Sequence, residues 1–210
     1  MTIAVTADIV GSRRLADRDD AQAQIETVIS RVAADLPGAV RPLEPVVGDE
    51  LQGEFDTLSG ALASILLIRL GLPDGIDLRF GVGTGESFGV ESVRGVLPEG
   101  PAWWAARAAI ERVHALEQRT VPRARTWLVA QDDPAGMVPV TNAYLLARDE
   151  IVGAMSERGR RLTYGRCLDV SQRELAEQEG ITQSAVSQLL AAAGASSIVE
   201  GFRALRTAEQ

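Results

Sequence analysis

Lysine is absent from this chain of 210 residues, and cysteine and histidine each occur only once. Because all 21 basic residues are arginines, every mechanism that needs an ε-amine is excluded. The single Cys167 excludes an internal disulfide, and together with the single His114 it provides too few ligands for a Cys/His zinc site. A Ser-His-Asp mechanism would have to use His114.

Long apolar segments and targeting signals are also lacking. The longest apolar run covers residues 61–68 and is interrupted by Ser64, so it is far shorter than a membrane span. The N-terminus has no basic segment and reaches Asp8 early, unlike a signal peptide. Since 46% of the residues are hydrophobic and 24% are charged, the composition favours a folded, cytoplasmic protein of one or two domains.

The net charge of −8 is distributed unevenly along the chain. There are 13 arginines against 20 acidic residues up to Val140, and 8 against 9 from Thr141 onward. An acidic chain does not attract nucleic acid as a whole. A contact with DNA would therefore have to be local and C-terminal.

Hydrophobic periodicity and turn residues predict alternating strands and helices up to Ala130. Strands are expected at 3–10, at 43–47 and 50–55 as a hairpin, at 77–82 and at 126–130. Helices are expected between them, at 19–36, 57–70 and 101–118. The order β-α-β-β-α-β followed by α-β is typical of a ferredoxin-like α+β sheet with its helices on one face. The turn-rich segment 131–136 marks a boundary, which gives an α+β domain at 1–135 and an all-α domain at 141–210.

Residues 171–190 fit the pattern of a helix-turn-helix. Ser171 and Thr182 are suited to cap its two helices, and Gly180 stands where the turn needs a positive φ. The second helix would present short polar side chains to a DNA major groove, namely those of Thr182, Gln183, Ser184, Ser187 and Gln188. Five arginines lie nearby in the sequence: Arg158, Arg160, Arg161, Arg166 and Arg173. They favour double-stranded DNA over the alternative, an αα-hairpin used for packing, and the near-neutral charge implies a homodimer that reads two half-sites.

Two aspartates in the N-terminal part are placed to act together. Asp8 ends the first predicted strand, and Asp49 lies in the predicted hairpin. In a β-α-β-β order the first strand pairs beside that hairpin, so we expect both carboxylates to converge on one edge of the sheet. Hard oxygen ligands of this kind suit Mg²⁺ bound together with nucleotide phosphates.

Phosphate contacts are expected close to these aspartates. Backbone amides at Gly11 and Ser12, beside Arg13, would hold phosphate oxygens. Arg107, on a predicted helix, would stabilise a phosphoryl charge. Local structure offers an alternative for each feature, namely a capped turn at 8–12, a hairpin turn at 48–49 and a salt-bridging Arg107.

Four segments resemble successive blocks of the SatD family, namely 7–13 (ADIVGSR), 47–53 (VGDELQG), 79–85 (RFGVGTG) and 100–107 (GPAWWAAR). The C-terminal helix-turn-helix resembles that of the same family, so the resemblance covers nearly the whole chain. The N-terminal part is also similar, more distantly, to the class III nucleotidyl cyclase catalytic domain. That similarity implies that Asp8 and Asp49 are metal ligands and that Ile9 contributes its backbone carbonyl.

Two departures from the cyclases bear on activity. Trp103 stands where the cyclases have an asparagine, four residues before Arg107, and there is no lysine for the base or the phosphates. Each such electrostatic group typically contributes on the order of 10²–10³ in rate, so the sequence favours binding over catalysis. We therefore expect a ligand-responsive, DNA-binding transcriptional regulator with a degenerate cyclase-like sensor domain for a nucleotide or another phosphate ligand. The alternative is a metal-dependent nucleotidyl cyclase or nucleotidyltransferase that uses Asp8 and Asp49, and in a third reading both domains serve only protein contacts.

Overall fold

The computed structural model describes residues 1–12, 15, 17–92 and 95–208, which form a mixed α+β fold. The strands are β1 (Thr2–Ile9), β2 (Ala39–Val47), β3 (Glu50–Phe55), β4 (Leu78–Gly85), β5 (Phe88–Ser92), β6 (Gly95–Glu99) and β7 (Thr126–Ala130). The helices are α1 (Arg18–Asp35), α2 (Leu58–Gly71), α3 (Pro101–Arg119), α4 (Met137–Ala154), α5 (Glu157–Cys167), α6 (Gln172–Glu179), α7 (Gln183–Ala192) and α8 (Ala195–Thr207).

Five strands form the main sheet, in the order β2-β3-β1-β4-β7. The central strand β1 pairs antiparallel with β3 and with β4, while β7 pairs parallel with β4, so the sheet is mixed. Strands β5 and β6 form a separate two-stranded hairpin that the sequence did not predict. The α+β class is confirmed, and the ferredoxin-like arrangement stays a prediction.

Alternate residues of β1 face opposite sides of the sheet. Ile3, Val5, Ala7 and Ile9 belong to the main hydrophobic core with α1 and α2, whereas Ala4 packs with residues of α3. Helix α3 therefore covers the face opposite to α1 and α2. The prediction that the helices lie on one face is wrong.

Glycines in β4 explain how α3 approaches the sheet so closely. A Cβ atom built on Gly81 or Gly83 would overlap the backbone of Ala106 or Ala102 in α3. Because neither glycine has a side chain, the helix lies directly on the strand. This contact places the outer residues of α3 beside the end of β1.

Helix α2 is the centre of the molecule and has no solvent-facing side over most of its length. Thr57 caps its N-terminus by accepting a hydrogen bond from the amide of Gly60, and every residue from Ala61 to Leu70 is buried. The same core includes side chains of the helical C-terminal part, among them Tyr164 and Phe202. The division into domains at 1–135 and 141–210 stays a prediction.

Local sequence signals place the helices of the C-terminal part. Ser171 and Glu174 form a capping box at the start of α6, Thr182 caps α7, and Gly180 between them has φ 64°. Helix α4 begins at Met137, four residues before the predicted start of the all-α domain at 141, and α8 follows α7 as a further helix that was not predicted. Assignment of α6 and α7 as a helix-turn-helix stays a prediction.

Among the described residues, no single helix combines the length and the hydropathy that a membrane span requires. Helices α7 and α8 meet those criteria only when taken together, and the chain bends by 80° between them.

Candidate functional site

The Asp8 carboxylate at the end of β1 is held by an arginine from the neighbouring strand. Asp8 lies opposite Glu50 of β3 and Arg79 of β4 in the strand registers. Arg79 donates from Nε to Oδ1 of Asp8 at 2.7 Å and from Nη2 to Oδ2 at 3.2 Å, and its Nη1 donates to Glu117 of α3 at 2.7 Å. Burial alone would lower the pKa of Arg79, but the hydrogen bonds and charges of Asp8 and Glu117 outweigh burial and raise it. Asp8 is thus one member of a charge-compensated, partly buried network.

The second aspartate, Asp49, lies in the tight turn between β2 and β3, as the sequence predicted. Gly48 has φ 67°, a conformation that favours glycine and lets the two strands reverse direction. The Asp49 side chain is 36% exposed, and its Oδ1 atom is 3.7 Å from Nη2 of Arg18, the first residue of α1. This distance leaves the carboxylate available to a ligand.

Asp49 opens into a cleft of about 990 Å³ at this end of the sheet. Gly11 and Ser12 line the same cleft, directly after β1, and φ 66° at Gly11 turns the chain there. Ile9 also borders the cleft, although its side chain is buried in the core. The predicted Arg13 lies outside the described residues.

Basic side chains also line the cleft, beside Glu117, and none of them was predicted to lie there. They are Arg18, Arg79 and His114, whose Nε2 atom is 2.6 Å from the amide nitrogen of Gln118. A single histidine at helical spacing carries no ligand signal in the sequence. Its place beside the cleft depends on the packing of α3 on the sheet.

Asp8 and Arg107 face a different, much smaller cavity. This cavity is about 70 Å³ and is lined by Thr6, Asp8, Glu50 and Arg107, among others. Nη2 of Arg107 is 3.7 Å from Glu50, and the arginine side chain is 67% exposed. The structure therefore brings Asp49, Gly11 and Ser12 into one cleft but does not open Asp8 into it.

The donor set determines how well a metal ion fits at this site. Both oxygens of Asp8 accept hydrogen bonds from Arg79, so a guanidinium stands in the place of a metal cation. No cluster of three or more acidic, histidine or cysteine side chains suited to a metal ion occurs within the ranges that the structure describes. As arranged, Arg79 occupies both oxygens of Asp8, whereas the partly exposed carboxylate of Asp49 is a hard oxygen group of the kind that Mg²⁺ accepts.

The polar face of α7 is exposed, as predicted, but its electrostatic surroundings differ from the expectation. Gln183, Ser184, Ser187 and Gln188 all face solvent, while the hydroxyl of Thr182 accepts a hydrogen bond from the amide of Ala185.

Arginines that were expected to attract phosphates near this face are paired with acids. Arg158 and Arg161 both bind Glu179, with N–O distances of 3.1 and 2.9 Å, and Arg160 binds Asp74 at 2.8 Å. The hydrogen bond from Arg161 lowers the pKa of Glu179, so Glu179 stays ionised beside the arginines. Glu179 thereby offsets part of the positive charge of Arg158 and Arg161 next to α6 and α7.

Comparison with protein families identifies the chain. A model of the SatD family matches residues 2–209. The chain belongs to the SatD family. The resemblance inferred from the four sequence blocks is confirmed at the level of the family. No curated protein sequence matches the chain.

Several solved structures are similar to this SatD-family chain. One is a bacterial light-regulated adenylyl cyclase, with 15% identity, a TM-score of 0.44 and coverage of 60% of this chain and 73% of that chain. Another is the adenylyl cyclase CyaB from P. aeruginosa, with 16% identity, a TM-score of 0.39 and coverage of 56% and 81%. A third is an adenylate/guanylate cyclase/hydrolase from Silicibacter pomeroyi, with 22% identity, a TM-score of 0.40 and coverage of 59% and 81%.

The predicted DNA-binding transcriptional regulator is wrong. The similar structures are described as adenylyl and guanylyl cyclases. The physical reason for the error lies in the arginines around α6 and α7, which were counted as free positive charges. In the structure Arg158, Arg160 and Arg161 are engaged with carboxylates.

Proposed function

We propose that this SatD-family chain is a Mg²⁺-dependent, nucleotide-binding enzyme of the nucleotidyl cyclase or nucleotidyltransferase type. The observation that carries the proposal is the cleft in which the Asp49 carboxylate faces the turn at Gly11 and Ser12. The proposal takes the sheet as the ferredoxin-like arrangement expected from the sequence, with this cleft at one end.

The size and lining of the cleft suit a nucleoside triphosphate. A volume of about 990 Å³ is at the upper end of the range for small-molecule sites, which is roughly 300–1,000 Å³. Backbone amides at a turn after a strand bind phosphate oxygens well, and Gly11 and Ser12 occupy such a turn. Arg18 and His114 add polar side chains that would contact the phosphates or the base.

In the proposal, the carboxylate of Asp49 binds Mg²⁺. Mg²⁺ is usually held by one or two carboxylates together with substrate phosphates and water, so it does not need a cluster of protein ligands. When bound, it would neutralise charge on the phosphates. Asp8 would act indirectly, because its hydrogen bond with Arg79 orients that arginine on the wall of the cleft. Arg107 borders a separate cavity beside Glu50, so its contact with a phosphoryl group stays a prediction outside this cleft.

A homodimer also belongs to the proposal. Hairpin β5–β6 exposes Phe88, Val90 and Leu97, and Trp104 beside it is 57% exposed. Contiguous exposed apolar side chains of this kind often mark interfaces. Light scattering of the purified chain, compared with Trp104→Ser, would test this assembly, since a dimer that uses this surface should weaken in the variant.

Calorimetric titration of ATP and GTP into the purified chain, with and without Mg²⁺, tests the binding half of the proposal. We expect Mg²⁺-dependent binding that is lost in Asp49→Asn and only weakened in Asp8→Asn, because Asp8 contacts Arg79 rather than the cleft. Asp56→Asn is a matched control, since Asp56 is an exposed residue just after the other end of β3. Equal affinities for wild type and Asp49→Asn would refute the assignment of the metal contact.

Product analysis tests the catalytic half. Incubation with ATP or GTP and Mg²⁺ should release pyrophosphate, together with a cyclic nucleotide for a cyclase or a nucleotidylated acceptor for a transferase. Turnover should disappear in Asp49→Asn. Tight Mg²⁺-dependent binding without pyrophosphate release would show a binding protein and refute the enzyme assignment.

A further inference from the structure

A second cavity lies where the sheet meets the helical C-terminal part, and three arginines line it. It has a volume of about 340 Å³ and is bordered by the end of α2, the loop before β4, and residues of α4 and α5. Its charged lining consists of Arg69, Arg125 and Arg160 together with Asp74 and Asp77. The nucleotide cleft of the proposed function does not include these residues.

Arg69 is the most deeply buried of these cations, and its charge is only partly compensated. Its side chain is 4% exposed, and Nη1 donates to Oδ1 of Asp149 at 2.5 Å. The same Asp149 oxygen also accepts hydrogen bonds from Nε and Nη2 of Arg148, so two buried guanidiniums share one carboxylate. Within the described part of the chain, Nε of Arg69 and Nη1 of Arg148 are buried without a hydrogen-bond partner. Burial of a cation with incomplete hydrogen bonding is unfavourable and is relieved by an anion.

Arg125 and Arg160 are held in fixed orientations at the cavity wall. Nε of Arg125 donates to Asp77 at 2.6 Å, and Nη2 of Arg160 donates to Asp74 at 2.8 Å and to the carbonyl oxygen of Leu72 at 3.1 Å. Their side chains are 12% and 14% exposed. A guanidinium that is already oriented loses little entropy when it binds a planar or tetrahedral oxyanion.

We propose that this cavity binds the phosphate group of a small phosphomonoester. The three guanidiniums would bind the phosphate oxygens, and the carboxylates of Asp74 and Asp77 would accept hydrogen bonds from hydroxyl groups on the rest of the ligand. A volume of about 340 Å³ lies at the lower end of the range for small-molecule sites, so it suits a compact phosphorylated compound rather than a nucleoside triphosphate.

The ligand would join the two parts of the chain. Arg125 and Asp77 belong to the sheet region, whereas Arg160 belongs to α5 and Gly153 on the wall belongs to α4. A phosphate bound between them adds contacts that exist only when these parts are packed together. Binding should therefore raise the thermal stability of the whole chain.

Titration of inorganic phosphate and of glycerol 3-phosphate into the full chain, at constant ionic strength set with chloride, tests the proposal. We expect saturable binding to the wild type and an affinity weakened about tenfold or more in Arg160→Gln and in Arg125→Gln, since each removes a charged hydrogen-bond donor. Arg160→Lys, which keeps the charge but loses the planar fork, should fall in between. Arg123→Gln is the matched control, because Arg123 pairs with Glu150 and its side chain is 48% exposed.

The outcomes separate this cavity from the nucleotide cleft. Arg18→Gln removes a cation from that cleft, and phosphate binding that is lost in this variant but kept in Arg160→Gln and Arg125→Gln would overturn the proposal. Equal affinities for Arg160→Gln and Arg123→Gln, or no saturable binding to the wild type, would overturn it as well. Circular dichroism of each variant in the absence of phosphate shows whether the fold is intact, and Arg125→Gln provides an independent reading if Arg160→Gln does not fold.

Discussion

Replacement of Asp149 by asparagine should destabilise the protein more than any surface substitution. Asp149 is fully buried in α4 and accepts five hydrogen bonds. Its Oδ1 atom accepts from Nη1 of Arg69 and from Nε and Nη2 of Arg148, and Oδ2 accepts from the backbone amides of Arg125 and Thr126, both at 2.7 Å. Every group that faces this carboxylate is therefore a donor.

The size of the expected loss of stability follows from this arrangement of donors. An asparagine at this position would have the same shape but no charge, and either orientation of its amide turns an NH₂ group toward at least two donors. Two buried guanidiniums would lose their shared counter-ion. Breaking a buried ion pair from one side costs about 3–5 kcal/mol, against a total stability of roughly 5–15 kcal/mol. For a chain of this length, this loss corresponds to a fall in melting temperature of roughly 6–20 °C.

Thermal and urea unfolding, followed by circular dichroism, measure the effect. Glu150→Gln is the matched control, since Glu150 is the next residue on α4 and its side chain is 56% exposed in a pair with Arg123. Exposed pairs contribute about 0–1 kcal/mol, so this control should unfold close to the wild type. Similar transitions for Asp149→Asn and Glu150→Gln would refute the reasoning that the buried arginines depend on Asp149.

Three further predictions concern packing and titration. Gly83→Ala places a methyl group into the backbone of α3 and should lower the free energy of unfolding by at least about 1–3 kcal/mol in urea titrations. Gly201→Ala, in α8, brings its methyl group only to van der Waals contact with Tyr144 and should be neutral or stabilising. Burial raises the pKa of Cys167 to about 12, so the thiol should resist a disulfide reagent at pH 8 until urea unfolds the chain; rapid labelling of the folded protein would contradict its burial. Burial and the Asp35 carboxylate raise the pKa of Tyr164 above its ordinary value near 10. The unfolded chain then releases this proton first, so stability should fall as the pH rises above 10, and Tyr164→Phe should flatten that part of the profile.

Much of the local structure follows from short-range sequence signals. Strand β7 has the predicted bounds, and the turn at Gly48 and Asp49 and the caps at Ser171 and Thr182 lie at the predicted residues. Each of these features depends on residues only a few positions apart. Hairpin β5–β6 was missed because its strands are short and are interrupted by Gly89 and Pro98, which read as loop residues.

The long-range features could not be predicted in the same way. The pair between Asp8 and Arg79 joins residues 71 positions apart and depends on β1 lying next to β4. Gly81, Gly83 and Gly85 do carry a signal in the sequence, since glycines at alternate positions of a strand indicate the close approach of another backbone. That signal would have placed α3 on this face, and with it His114 in the cleft.

Ion pairs were also beyond what the sequence could predict. A sequence gives the number of arginines but not their partners. Arg158 and Arg161 therefore appeared to favour DNA, whereas in the folded chain both form ion pairs with Glu179. The pairing of Asp8 with Arg79 was equally invisible in the sequence. Opposite charges far apart in the sequence become visible as pairs only in the folded chain.

The burial of α2 on all sides bears on how this protein can change in evolution. Its side chains from Ala61 to Leu70 are covered by the sheet and α1 on one side and by α5 and α8 on the other. A lineage that lost or exchanged the helical C-terminal part would expose an apolar strip of α2 to water, and the chain would then aggregate or recruit a replacement. We therefore expect the two parts to be inherited together, with compensating substitutions in α2 wherever the helices packed on it diverge.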